Sequence, residues 1–239
     1  MKVRNKGKRL NSYLEDYVVF DLETTGISQE MDDIIEISAV KVRAHEIVGE
    51  YSTLVDPGRH IPRAATAVNG ITDSMVAGAP NIKTAITGFL EFIGDGVLVG
   101  HNIHTFDTNF IYDAVWQALG KEFCNDYVDT LYMARRCLPE LPHHKLTDVS
   151  EYFHIETTGA HRALADCLMN QKCYEEMGKL LNEMKKNTEP GLLCPKCGGR
   201  LVERKGKFGN FYGCEEFPRC RFTRNIKQTA PGGIANAHP

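Results

Sequence analysis

Val-Val-Phe-Asp-Leu-Glu-Thr-Thr-Gly, residues 18–26, is the stretch whose reading decides the fold. An apolar run leads into two acids spaced one residue apart, and Thr24-Thr25-Gly26 ends it with a tight turn. The run predicts a strand over Tyr17–Leu22. Side chains alternate along a strand, so Asp21 and Glu23 share one face with backbones about 6–7 Å apart, while Leu22 points to the core. Two carboxylates on one face repel each other unless a cation lies between them, and hard divalent ions such as magnesium or manganese prefer oxygen ligands.

Two further contexts carry the same chemistry: Gly-His-Asn-Ile-His-Thr-Phe-Asp (100–107) and His-Arg-Ala-Leu-Ala-Asp (161–166). Asp107 lies near the entry to a helix, where the helix dipole favours an anion. His161 and Asp166 would lie about 140° apart on one helix, so they share a site only if His161 sits in the loop or first turn before it. Thr157-Thr158-Gly159 supplies that loop, and the small Ala163 lets the helix approach the sheet closely. Four acids and one imidazole, brought together, would hold two divalent cations and activate a water for phosphodiester hydrolysis.

The surrounding pattern gives an architecture. Ile34–Val42 and Ile47–Val55 follow the first strand as an antiparallel meander, with turns at Gly26 and Ala44–Glu46. Helices are predicted over Asn81–Ile93, from about Thr108 to Leu119, around Thr130–Cys137 and Lys145–Phe153, and over Ala163–Lys185. Short strands are predicted at Val97–Val99 and Tyr127–Val128. Three strands followed by alternating helices and strands imply an α/β fold with a mixed sheet.

The rest of the chain divides the labour. With 42% hydrophobic and 25% charged residues, the 239 residues can pack one medium domain and a small appendage. No signal peptide is evident, no apolar run is long enough to span a membrane, and cytoplasm is the default location. Nine Lys/Arg against three Glu between Gly191 and Lys227 make that segment +6; with a net charge of −3, the remainder carries −9. An acidic body with a basic tail suits metals in one place and an anionic polymer in the other, although ordinary solvated charge would look the same.

Four of the eight cysteines, Cys194, Cys197, Cys214 and Cys220, cluster as Cys-x2-Cys-x16-Cys-x5-Cys. Two close pairs of thiolates suit tetrahedral zinc; a pair of disulfides is the alternative. So short a segment buries little core, and metal must supply folding energy on the order of 10 kcal/mol. Phe208, Phe211, Tyr212, Phe217 and Phe222 interleave with the basic residues, as stacking on bases and neutralising phosphates require. The predicted domains are 11–186 for the catalytic domain, 187–193 for a linker, 194–227 for the ribbon and 228–239 for a disordered tail.

The three acidic segments resemble the motifs of the proofreading-type 3′–5′ exonucleases with histidine in the third motif, typified by the epsilon subunit of bacterial DNA polymerase III. The resemblance runs from about Tyr17 to Met184 and includes Ile35-Glu36-Ile37-Ser38-Ala39-Val40, Val68-Asn69-Gly70-Ile71-Thr72 and Asp129-Thr130-Leu131. It implies a ribonuclease H-like fold with a five-stranded sheet, two magnesium or manganese ions, and release of mononucleotides from a 3′ end. By the same resemblance Asp21 bridges both ions, Glu23 and Asp166 complete one, Asp107 helps hold the second, His161 is the general base and Thr24 meets the terminal 3′-hydroxyl. Asn69 stands where many relatives carry histidine. The cysteine segment is similar to the C-terminal zinc fingers of type IA topoisomerases, which implies one structural zinc and contact with single-stranded DNA. The expected partners are therefore single-stranded DNA or DNA 3′ ends, with a DNA polymerase as a further possibility and no membrane. An exoribonuclease and a non-catalytic polymerase accessory subunit are the alternatives.

Overall fold

Every residue from Tyr17 to Phe20 is fully buried, and that continuous apolar run makes the strand a central one. The computed structural model describes residues 4–156, 162–186, 192–207, 209–218 and 220–226. They fall into two units, 1–183 and 184–239.

In the first unit β1 (Arg9–Leu10), β2 (Tyr17–Thr24), β3 (Ile34–Arg43) and β4 (Glu46–Leu54) precede two short helices, α1 (Arg63–Asn69) and α2 (Asp73–Val76). Then come α3 (Ile82–Ile93), β5 (Leu98–Gly100), α4 (Asp107–Leu119), β6 (Tyr127–Asp129), α5 (Thr130–Cys137), α6 (Leu146–Tyr152) and α7 (Ala163–Lys186). The sheet order is β1-β6-β5-β2-β3-β4. β2 pairs antiparallel with β3 and parallel with β5, and β1 and β5 run parallel to β6. The mixed sheet expected from the sequence is present. Its five strands are joined at one edge by the two-residue β1, too short to leave a periodic signal.

Alternation along β2 separates core from chemistry. Val18, Phe20 and Leu22 pack with Ile37 and Ala39 of β3 against Ile86, Phe89 and Ile93 of α3 and Ile111 and Val115 of α4. Tyr17 meets Tyr174 of α7 edge-on at 4.6 Å, and Cys167 of α7 donates to the Ser38 carbonyl at 3.4 Å. α7 therefore covers the other face of the sheet, the face that carries Asp21 and Glu23.

The two helices between 63 and 76 were not foreseen. At seven and four residues they are too short to be stable alone. Ile61, Ala65, Ile71 and Val76 hold them by packing on Ile35. Gly70 closes α1 at φ 71°, a left-handed conformation that costs glycine nothing.

In the second unit β7 (Leu201–Gly206), β8 (Gly209–Cys214) and β9 (Thr223–Asn225) form a three-stranded antiparallel sheet. Of the expected linker at 187–193, residues 187–191 lie outside the described residues, as does the expected tail at 228–239.

Phe89 is fully buried where α3 crosses Phe20 at 5.6 Å between ring centroids. Phe89→Ala should cost about 3–5 kcal/mol of stability, measured as a lower urea midpoint for the first unit.

Candidate active site and metal centres

The site begins with register. Asp21 faces Ser38 and Glu23 faces Glu36 across the β2–β3 ladder, so Glu23 and Glu36 are cross-strand neighbours on the α7 face. A register shift between Glu23 and Thr24 ends the regular pairing there. The chain then turns at Gly26, where a Cβ would meet the Asp32 carboxylate at 2.4 Å and push it aside. Asp32 accepts from the Ser28 amide at 2.9 Å and holds the turn. Thr24 gives its hydroxyl hydrogen to the Gly26 carbonyl at 2.6 Å, which leaves its oxygen able only to accept from a further group.

Asp166 joins from the first turn of α7. One carboxylate oxygen from each of Asp21, Glu23 and Asp166 lies within 4.8 Å of the others. Asp107 is the first residue of α4 and is 3% exposed. Its charge is felt by Asp21, and the nearby amides of Leu22 and Asp107 favour its ionised form, so the start of α4 lies beside the strand acids. Asp129 builds the loop before it, accepting from the amides of Asn102 (3.2 Å), His104 (3.0 Å) and Leu131 (3.0 Å). Asp21, Glu23 and Asp166 thus converge, and Asp107 lies close enough for its charge to act on Asp21 without joining the trio. His161 lies outside the described residues; α7 begins at Ala163, two residues after it.

The electrostatics record the crowding. Burial, then the charges of Asp107, Asp166, Glu23 and Glu36, hold the Asp21 carboxyl well above the usual carboxylate range. Burial, then Asp166 and Glu36, push Glu23 up to about 7, against a hydrogen bond from Asn69 and the charge of Arg162. Burial, then the charges of Asp129 and Glu23, push Asp107 up to about 7 against its two amide donors. A site whose acids are held protonated by one another lacks positive charge, and a divalent cation is what this donor set fits.

Glu36 and Asp129 lie within segments that carried the resemblance, but neither was given a role. Glu36 had a signal: it is the one acid in the apolar strand Ile34–Val42, and a buried acid needs a partner. His101 donates to the His144 carbonyl at 2.8 Å, and His144 to the Leu138 carbonyl at 2.9 Å, so both rings hold neighbouring backbone.

The ribbon repeats the theme with softer donors. The Sγ atoms of Cys194, Cys197, Cys214 and Cys220 all lie within 4.8 Å of one another. Cys194–Cys220 is 3.7 Å and Cys197–Cys214 is 3.3 Å, near the edge of roughly 3.8 Å for a tetrahedron with 2.3 Å zinc–sulfur bonds and far from a disulfide. All eight cysteines of the chain are free thiols. Gly198, at φ 70°, turns the first knuckle, where its amide donates to the Cys194 carbonyl at 2.8 Å. Tyr212 and Phe222 pack on the cysteine cluster, whereas Phe217 is 60% exposed, with Arg204 6.0 Å from its ring centre. Phe208 lies outside the described residues.

Residues 18–174 match the family described as Exonuclease. The chain belongs to that family. Residues 191–229 match the topoisomerase DNA binding C4 zinc finger. The chain is 38% identical over 186 residues to the DNA polymerase III subunit epsilon of Aquifex aeolicus, covering 77% of this chain and 90% of that one. It is 43% identical over 155 residues to the PolC-type DNA polymerase III of Clostridium perfringens, covering 65% of this chain and 11% of that one. Among solved structures, exonuclease X in complex with 5′ overhanging duplex DNA is similar at a TM-score of 0.55 and 27% identity, over 70% of this chain and 92% of that one. E. coli exonuclease I in complex with a dA16 oligonucleotide shares the fold at a TM-score of 0.60 and 17% identity, over 87% of this chain and 53% of that one. The family is divalent-metal dependent, in keeping with the donor set above, and the four-cysteine cluster fits a zinc ribbon.

Two tests follow. The crowded carboxyls bind protons more tightly folded than unfolded, so the stability they contribute is whole below their unfolded values near 4. It is lost as pH rises through about 7. Without added magnesium or manganese, Asp21→Asn should therefore raise the melting temperature at pH 8 by roughly 2–4 °C, about 1 kcal/mol, by less at pH 5, and not at all below about pH 4. A variant that melts lower at pH 8 would contradict the repulsion. Stripping zinc with a strong chelator should unfold the ribbon and leave the first unit's helical circular dichroism in place.

Proposed function

We propose that this chain is a metal-dependent 3′–5′ exonuclease that hydrolyses phosphodiester bonds at DNA 3′ ends, releases nucleoside monophosphates, and holds single strands on its own zinc ribbon. The convergence of Asp21, Glu23 and Asp166, from two elements about 140 residues apart in the chain, supports this reading most directly. Divalent ions held there would lower the pKa of a bound water and stabilise the charge on the attacking and leaving oxygens.

The roles assigned to the protein's own residues are those that the resemblance implies. Asp21 would be the ligand shared between two magnesium or manganese ions, Glu23 and Asp166 would complete the first and Asp107 would support the second. Thr24, with its hydrogen already given to Gly26, accepts from the terminal 3′-hydroxyl. His161, in the segment before α7, takes the proton from water. Catalytic and binding domains are assigned to 11–186 and 194–227, joined through 187–193, with one structural zinc in the ribbon.

The ribbon favours DNA over RNA as the substrate, because the family it matches is described as DNA binding. Exposed Phe217 with Arg204 beside it suits stacking on a single strand, which tolerates any sequence. Reduced thiols available to zinc suit a cytoplasmic protein. Association with a DNA polymerase is the second reading, favoured by the epsilon-subunit relative; co-purification with a polymerase would select it.

On 5′-labelled single-stranded DNA with magnesium or manganese, the chain should produce a ladder of shortened products, and chelator should stop it. Asp21→Ala and Asp166→Ala should each abolish cutting with the fold retained by circular dichroism; full activity in either would sink the assignment. His161→Gln should slow cutting by roughly 100-fold or more while metal binding persists. A chain ending at Glu189 should still cut, with weaker and less salt-sensitive binding to single strands.

A further inference from the structure

We propose that Glu36 is a positioning residue: by gripping the Arg162 guanidinium and the Ala163 amide it fixes the start of α7, and so sets Asp166 against Asp21 and Glu23. The proposal rests on the reading of those three acids as metal ligands. Asp21, Glu23 and Glu36 share one face of the sheet, yet Glu36 is absent from the metal-holding trio. Its oxygens are already occupied. Oε1 accepts from Arg162 Nη2 at 2.8 Å, and Oε2 accepts from Arg162 Nε and from the Ala163 amide, both at 3.2 Å.

That is a two-pronged guanidinium–carboxylate pair with a helix N-terminal amide added to it, and it fixes direction as well as distance. Glu36 is 3% exposed, and Ala163 is fully buried. The strand end is rigid, pinned on both sides by β2 and β4. Asp166 lies three residues beyond Ala163, under one helical turn, so an error at the grip passes to its carboxylate undiminished. Arg162 is also the residue directly after His161, so the same grip bounds the segment that carries it.

Arg162 is the side to test, because its side chain is 45% exposed and its truncation opens no core cavity. The sign separates positioning from simple electrostatics. Arg162→Ala deletes a cation beside Glu23 and leaves Glu36 without its counter-ion. Charge alone then predicts manganese binding that is unchanged or tighter. Misplacement of Asp166 predicts the reverse.

The experiment compares the full chain with Arg162→Ala and Arg162→Lys. In metal-free protein, amide hydrogen exchange at Ala163–Asp166 should quicken at least about tenfold in Arg162→Ala while β2 stays protected. Manganese affinity by calorimetry should fall about tenfold, and kcat on single-stranded DNA should fall about 10–100-fold with KM within about twofold. Arg162→Lys keeps the charge without the fork and should fall between the two. Added guanidinium should recover much of the lost kcat in Arg162→Ala and none in Asp166→Ala. Unchanged exchange, with manganese binding equal to or tighter than the parent's, would overturn the proposal. A parent chain that neither binds manganese nor cuts DNA would overturn the nuclease reading instead, and the metal-free exchange rates would still decide the role of Glu36.

Discussion

Like charges forced together on one face of a sheet are the constraint on which the rest of this structure depends. Two carboxylates within 4.8 Å repel by about 3 kcal/mol at an effective dielectric near 20. Asp21 meets that repulsion from several sides at once. A fold that only needed stability would place a neutral residue there, since each such charge subtracts from a margin of about 5–15 kcal/mol. Keeping all of them makes sense where cations complete the set, and the raised proton affinities mark the positive charge the site lacks.

Holding such a cluster together requires attractive contacts around its edge, and the first unit supplies them at each point where a new element enters. The amides of Leu22 and Asp107 favour the ionised Asp107 carboxyl at the start of α4. Asp129 gathers three amides of the loops flanking it. Glu36 takes Arg162 and Ala163 at the start of α7. In each case a carboxylate is satisfied by backbone N–H groups or a guanidinium, never by another acid. Donors around the edge offset part of the repulsion, and the charge that still crowds Asp21 and Glu23 is what a cation would compensate.

Much of this was legible in the residues because strand and helix periods are strict. Asp-Leu-Glu on an apolar run can only put its acids on one face and its leucine on the other, and the burial of Leu22 agrees. What escaped had no local signal. α1 and α2 exist through contacts with Ile35, distant in sequence, and β1 is two residues laid beside β6 by pairing alone. The separation of Asp107 from the trio depends on where a helix enters, which spacing does not report. Glu36 lay between these cases: its incongruity in an apolar strand pointed to a partner, but only the folded chain names Arg162.

The two metal centres respond to different conditions, and that difference is what joining them in one chain exploits. Carboxylates hold hard ions reversibly and in competition with protons, so the catalytic face answers to divalent-ion supply and pH. Four thiolates hold zinc as part of the ribbon's folding, so the ribbon stays formed while the catalytic ions come and go. On the proposed function, a strand bound by the ribbon through phosphates and stacking would be held by forces that salt weakens and catalytic ions do not govern. On the same proposal, tethering would offset the repulsion between DNA and an acidic site. On this account the basic tail offsets a defect that catalysis imposes on the body: the negative charge that gathers the ions also turns away the polymer they cut.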